Sequence, residues 1–152
     1  MLANKKLALV LALFTIFLFS GCESPSLLGK KVEKKYYTGG QLMSEFIWSD
    51  SSGHNGALKL YGFDGKQVSS VNITNGVKNG IETHFDNKSR VIRQIPYVNG
   101  KIHGVDKIFY PNGDRKITYT YKYGMKEGYA YAYYPDGSIA KKAIYRRGRL
   151  AN

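Results

Sequence analysis

The sequence has 152 residues, room for about one domain, and carries 23 Lys and Arg against 11 Asp and Glu for a formal net charge of +12. Its single cysteine excludes an intrachain disulfide and a cysteine-cluster metal site, and three histidines (His54, His84, His103) are too few for most multi-ligand catalytic metal centres. Seventeen Gly beside only four Pro, with 13 Tyr and seven Phe, point to β-strands broken by tight turns.

The chain opens MLANKKLALVLALFTIFLFSGC. Lys5 and Lys6 form a basic n-region, and the apolar run from Leu7 to Ser20 is shorter than the ~20 residues a membrane-spanning helix needs. It fits the h-region of a signal peptide instead. The run ends Phe19-Ser20-Gly21-Cys22, which resembles a bacterial lipobox: a large apolar residue, two small ones, then the cysteine to be lipidated. Phe19 stands where that family usually has leucine, and the same bulk disfavours ordinary signal-peptidase cleavage. The expected organisation is a lipoprotein signal peptide over 1–21, a lipidated Cys22 followed by a polar tether to residue 35, and a folded domain over 36–152. A diacylated, N-acylated cysteine anchors stably where one chain binds only marginally. Glu23 after the cysteine, by resemblance to enterobacterial sorting rules, allows delivery to an outer membrane facing the periplasm.

From residue 36 onward the sequence repeats every 24 residues. Gly76, Gly100, Gly124 and Gly148 form one series, and Gly56, Gly80, Gly104 and Gly128 a second. The rings Tyr37, Tyr61, Phe85, Phe109 and Tyr133 form a third, and Ile73, Tyr97, Tyr121 and Tyr145 a fourth. Four series of one period identify a repeat protein. Each unit has two turn signals. One is a dipeptide (Asp64-Gly65, Lys88-Ser89, Asn112-Gly113, Asp136-Gly137), expected to make the two-residue hairpin turn with positive φ. The other is a longer G-x-x-x-G connection within NGVKNG (75–80), NGKIHG (99–104) and YGMKEG (123–128). The first unit is irregular, as capping repeats commonly are.

Between turns the residues alternate. Ile117, Tyr119, Tyr121 and Tyr123 point one way with Thr118, Thr120 and Lys122 the other, and Tyr129, Tyr131 and Tyr133 share a side with Ala130 and Ala132 opposite. The recurring apolar positions, 61/85/109/133, 71/95/119/143, 73/97/121/145 and 81/105/129, are all odd-numbered, and 24 is even. The expectation is an all-β fold: an elongated single-layer antiparallel sheet of stacked β-hairpin repeats, with one aromatic-aliphatic face and one mostly polar face. A lone unit offers too few large side chains to fold by itself, so neighbours must stack.

Written out, the units resemble the bacterial variant of the MORN-repeat family, with consensus YYxNGxhxxxxxYxNGxxxG, most closely at FYPNGDRKITYTYKYGMKEG (109–128) and YYPDGSIAKKAIYRRG (133–148). The resemblance covers about residues 36–152. It implies a repeat sheet used as a scaffold or as a protein- or lipid-contacting module, some bacterial members being catalogued as antitoxin-like, and it supplies no catalytic residue.

No catalytic constellation stands out. The serines sit in no G-x-S-x-G elbow, the histidines fall in different phases of the repeat, and the G-x-x-x-G turns lack the Lys-Ser/Thr of a phosphate loop. The expectation is a non-enzymatic protein without a cofactor or bound metal. Two candidate binding surfaces remain. One is an aromatic face formed by Tyr119, Tyr121, Tyr129, Tyr131, Tyr133 and Tyr145; the other is a basic patch formed by Lys141, Lys142, Arg146, Arg147 and Arg149. For an exported lipoprotein, anionic headgroups or envelope polymers are nearer partners than nucleic acid, which is not expected. The reading is a lipid-anchored envelope binding or scaffold protein, held to the membrane by its N-terminal anchor and contacting an unknown partner protein or an anionic envelope component. The alternatives are an antitoxin or immunity-type lipoprotein, a cell-wall-binding module (though Trp48 is the only Trp) and, as the enzyme alternative, an envelope hydrolase.

Overall fold

The computed structural model describes residues 30–151. The expected signal peptide (1–21), Cys22 and the tether up to residue 29 lie outside the described residues. Thirteen strands form one antiparallel sheet: β1 (Val32–Tyr36), β2 (Leu42–Trp48), β3 (Gly56–Tyr61), β4 (Gln67–Thr74), β5 (Val77–Lys78), β6 (Gly80–Phe85), β7 (Val91–Val98), β8 (Lys101–Ile102), β9 (Gly104–Phe109), β10 (Arg115–Lys122), β11 (Met125–Tyr133), β12 (Ile139–Arg146) and β13 (Arg149–Ala151). The long strands lie side by side in chain order, while the short β5 and β8 fold back on β4 and β7 before the chain moves on as β6 and β9. The sheet is a single layer, as the repeat requires. It starts earlier than the expected domain boundary at 36, because Val32–Tyr36 of the supposed tether pairs with β2 as an exposed edge strand. Its lysines and glutamate suit an edge that must not recruit further strands.

The two kinds of turn are the reverse of the sequence expectation. At Asn75-Gly76, Asn99-Gly100, Tyr123-Gly124 and Arg147-Gly148 both residues have positive φ, from 48° to 91°. The flanking pairs Thr74–Val77, Val98–Lys101, Lys122–Met125 and Arg146–Arg149 close two-residue hairpins around them. The twist-matching turn therefore sits at the start of the G-x-x-x-G segment. At Asp64-Gly65 only the glycine is left-handed; Gly62 accepts from Gly65 N–H and donates to Lys66 C=O, which makes a three-residue loop with a bulge. The ladder shifts register beside it, between Leu60 and Tyr61. The turns at Ser89, Gly113 and Gly137 repeat this pattern. Ser89, without a glycine's freedom at φ 60°, is supported by Asp86, whose carboxylate accepts from Lys88 N–H and Arg90 N–H and pairs with the Arg90 guanidinium.

The two-residue turns are tied into a row. Gly76 N–H donates to His54 C=O, Gly100 to Lys78, Gly124 to Ile102 and Gly148 to Lys126, at 2.7–2.9 Å. Side chains add to it: Asn55 accepts from Asn75 N–H, and Glu127 from Arg147 N–H.

Register corrects the expectation of one aromatic and one polar face. A two-residue turn pairs residues three apart, and the bulge of the other loop restores the same offset. From β3 onward odd-numbered residues therefore face even-numbered partners except at the bulge pairs such as Phe85–Val91; between β2 and β3 the irregular loop pairs like parity, as in Phe46–Leu58. Tyr119 lies opposite Asp106 on one side and Ala130 on the other, and Arg93 opposite His84 and Ile108. The series 71/95/119/143 and 73/97/121/145 therefore share one face, with Phe46, Leu58, Glu82 and Asp106. The series 81/105/129 lies on the other. The first, inner face contains the buried Ser44, Ser69, Val71, Glu82, Ile95, Asp106 and Ala130; on the second, outer face only Thr118 is comparably buried among the described residues, and Ile81, Val105 and Tyr129 are exposed. In the irregular first unit Phe46 packs edge-on against Trp48, and Gly53 lies so close to the indole that a Cβ there would come within 2.6 Å of it.

Candidate functional site

The split of faces divides the candidate aromatic cluster. Tyr119, Tyr121 and Tyr145 stand on the inner face and Tyr129, Tyr131 and Tyr133 on the outer face of the same three strands. On the inner face β11 contributes only Gly128, Ala130 and Ala132 between β10 and β12. These small residues let rings from non-adjacent strands approach, and Tyr119 meets Tyr145 edge-on with centroids 6.3 Å apart. Lys126 reaches into this group from the row of turns, its Nζ 3.9 Å from the Tyr119 ring centre and 5.0 Å from that of Tyr145. A shallow depression of about 260 Å³ opens beside them, lined by Ile117, Ala130, Ala132, Lys141, Ala143 and Leu150.

On the outer face Tyr129, Tyr131 and Tyr133 form a ladder along β11, with successive ring centres 5.9 and 6.1 Å apart. Lys142 lies 4.0 Å over Tyr129, and the Arg115 guanidinium 5.1 Å over Tyr133.

The basic patch is divided as well. Lys141 faces inward opposite Ala132, and Lys142 outward opposite Tyr131. Arg146 and Arg149 face each other across the last two-residue turn, with Arg147 in the turn itself. Like charges directly opposite repel, so this end of the sheet holds cations without their counter-charges.

Earlier along the sheet the inner face handles charge differently. Glu82 accepts both of its bonds from Lys78 at 2.7 Å, with Lys78 also 5.0 Å over the Tyr97 ring. Asp106, fully buried, accepts a two-pronged bond from Arg93 at 3.0 and 2.7 Å, which holds the guanidinium pKa above its ordinary value. Burial, reinforced by Glu82, pushes the Tyr97 hydroxyl pKa up. Nearer the N-terminus the Tyr61 hydroxyl donates to Glu45 at 2.7 Å; burial, then that bond, pushes its pKa up to about 12. Among the described residues, every ion pair involves residues up to Asp106 and none beyond it. Beyond Asp106, Arg115, Lys116, Lys126 and Lys142 lie over tyrosine rings instead. Sequence reasoning missed Lys126 and Arg115; the series 78/102/126, read as Lys, Ile, Lys, was the available signal.

Hairpin units of this period, stacked in one sheet with a glycine turn at fixed phase, define a β-hairpin repeat array. The model of the MORN repeat variant family matches residues 102–123 and 126–147, so this stretch of the chain carries two repeats of that variant. No curated protein matches the sequence. Among solved structures, a crystal structure of TarM is similar at 15% identity and TM-score 0.48, over 60% of this chain and 18% of that one. A glycine-to-arginine mutant of S. aureus TarM, in complex with Fondaparinux, alpha-GlcNAc-glycerol and UDP, is similar at 12% identity and TM-score 0.47, over 61% and 19%. The chain thus spans less than a fifth of either structure's length.

Proposed function

We propose that this protein is a non-enzymatic, lipid-anchored scaffold of the cell envelope that binds an anionic envelope component through the last repeats of its sheet. The observation that carries the reading is the change at Asp106: every ion pair among the described residues lies up to it, and beyond it Arg115, Lys116, Lys126 and Lys142 lie over tyrosine rings. A cation over a ring keeps its full charge and stays available to an incoming anion, whereas a paired one does not. The lipobox-like Phe19-Ser20-Gly21-Cys22 supplies the anchor and makes envelope polymers or headgroups the nearest anions.

The test is co-sedimentation of residues 30–152 with purified sacculi and, separately, with vesicles of phosphatidylglycerol and phosphatidylcholine, at low and high salt. Pelleting that is lost at high salt supports the reading. Failure to pellet with either material overturns it and turns attention to a protein partner, the immunity-type alternative. In cells, fatty-acid labelling is expected to disappear in Cys22→Ala; label retained on that variant refutes the anchor.

A further inference from the structure

We propose that the inner-face depression beside Lys126 is a binding subsite for the anionic group of an acidic sugar, a carboxylate or phosphate carried on a pyranose-sized body. This rests on the envelope-binding reading and narrows its ligand. Forty-eight residues separate Lys78 from Lys126, Tyr97 from Tyr145 and Glu82 from Ala130. The lysine and the ring keep their geometry in both units, at 5.0 Å each. What changes is the carboxylate: Glu82 pairs with Lys78, and the equivalent position beside Lys126 is the buried Ala130, which brings no counter-charge.

The intermediate unit supports the rule. Its lysine is replaced by Ile102, but Asp106 remains and takes a cation from Arg93 of the preceding repeat. Two units therefore have matched charge at this point of the inner face, and the third has a cation alone. The depression is lined by Tyr119 and Tyr145, the two rings that Lys126 lies over, and by a second cation, Lys141. Tyr119 stands where the earlier unit has Val71, so the site gains a ring where its counterpart has an aliphatic side chain. Cations facing an unfilled acidic position recognise an anion, and the rings offer flat apolar faces to the C–H side of a sugar. A depression of about 260 Å³ holds a single sugar unit and not a folded partner.

The experiment uses the full chain, isotopically labelled, in a neutral polyoxyethylene detergent. Glucuronic acid, glucose 1-phosphate and glucose are titrated while the ring signals of Tyr119 and Tyr145 are followed by NMR. Saturable shifts with either acidic sugar and none with glucose are expected, and the arm that responds tells carboxylate from phosphate. Ala130→Glu should refill the site from within, keep a dispersed spectrum and weaken binding about tenfold or more. Should that variant misfold, Lys126→Met provides the same reading. No shift with either acid, an equal response to glucose, or binding unchanged in the variant that folds overturns the proposal. If the subsite fails while salt-sensitive pelleting with sacculi or vesicles persists, the envelope-binding reading stands without it.

Discussion

Two stretches of one sheet, built from the same repeat, treat positive charge in opposite ways. From β1 to β9 six of the cations are paired with carboxylates, among them Lys34–Glu45, Lys78–Glu82 and Arg93–Asp106. From β10 to β13 the same backbone places them over tyrosines. Since turns, register and period are shared, the fold does not require either solution. The lesson is that the first stretch uses its charges for its own stability, and the second leaves them for something else to neutralise.

The largest expected effect breaks the first stretch. Asp106→Ala removes a fully buried partner from Arg93. It should cost about 3 kcal/mol in urea unfolding, the low end for breaking a buried pair because Arg93 can turn toward water. Next is a control that should treat both stretches alike: Gly76→Val and Gly124→Val each force a β-branched residue to a positive φ, of 76° and 91°, where a Cβ meets nothing closer than 3.9 Å. Each should cost about 2 kcal/mol, and unequal losses would mean the two backbones are not equivalent. A matched pair then isolates the charge. Lys78→Met strands the buried Glu82 and should cost about 2 kcal/mol, while Lys126→Met should cost about 0.5–1 kcal/mol, both read by thermal melts.

The smallest effect is on titration. The Arg90 side chain, followed by its backbone amide, holds the Asp86 carboxyl down at about 2. A carboxyl lowered on folding stabilises the fold above its ordinary pKa and loses that contribution as pH falls through the folded value. Asp86 should therefore titrate by carbon-detected NMR with a midpoint near pH 2, and Arg90→Gln should move that midpoint up.

The period, the strand order and the single layer were legible because glycines and rings recur at fixed phase, and no other arrangement stacks them. The division of Tyr119, Tyr121 and Tyr145 from Tyr129, Tyr131 and Tyr133 was not. Alternation reads one strand correctly, but whether parity survives a turn depends on turn length, and Asp64-Gly65 was taken for the two-residue turn that Asn75-Gly76 makes. Tyr123-Gly124 and Arg147-Gly148 carry the same left-handed pair with residues that rarely announce it. The strand at Val32–Tyr36 was hidden by its lysines, which read as tether until β2 gives them a neighbour.

The row of glycine turns, each handing its amide to the carbonyl of the turn before, has a consequence for how such a molecule changes over generations. The backbone bond at each glycine turn is the same, so a unit duplicated or lost from the middle keeps the row intact and has only its own charge pairs to remake. A loss of one residue between turns is another matter: it would turn every later side chain over to the opposite face. The array can grow or shrink freely in whole units, and hardly at all in fractions of one.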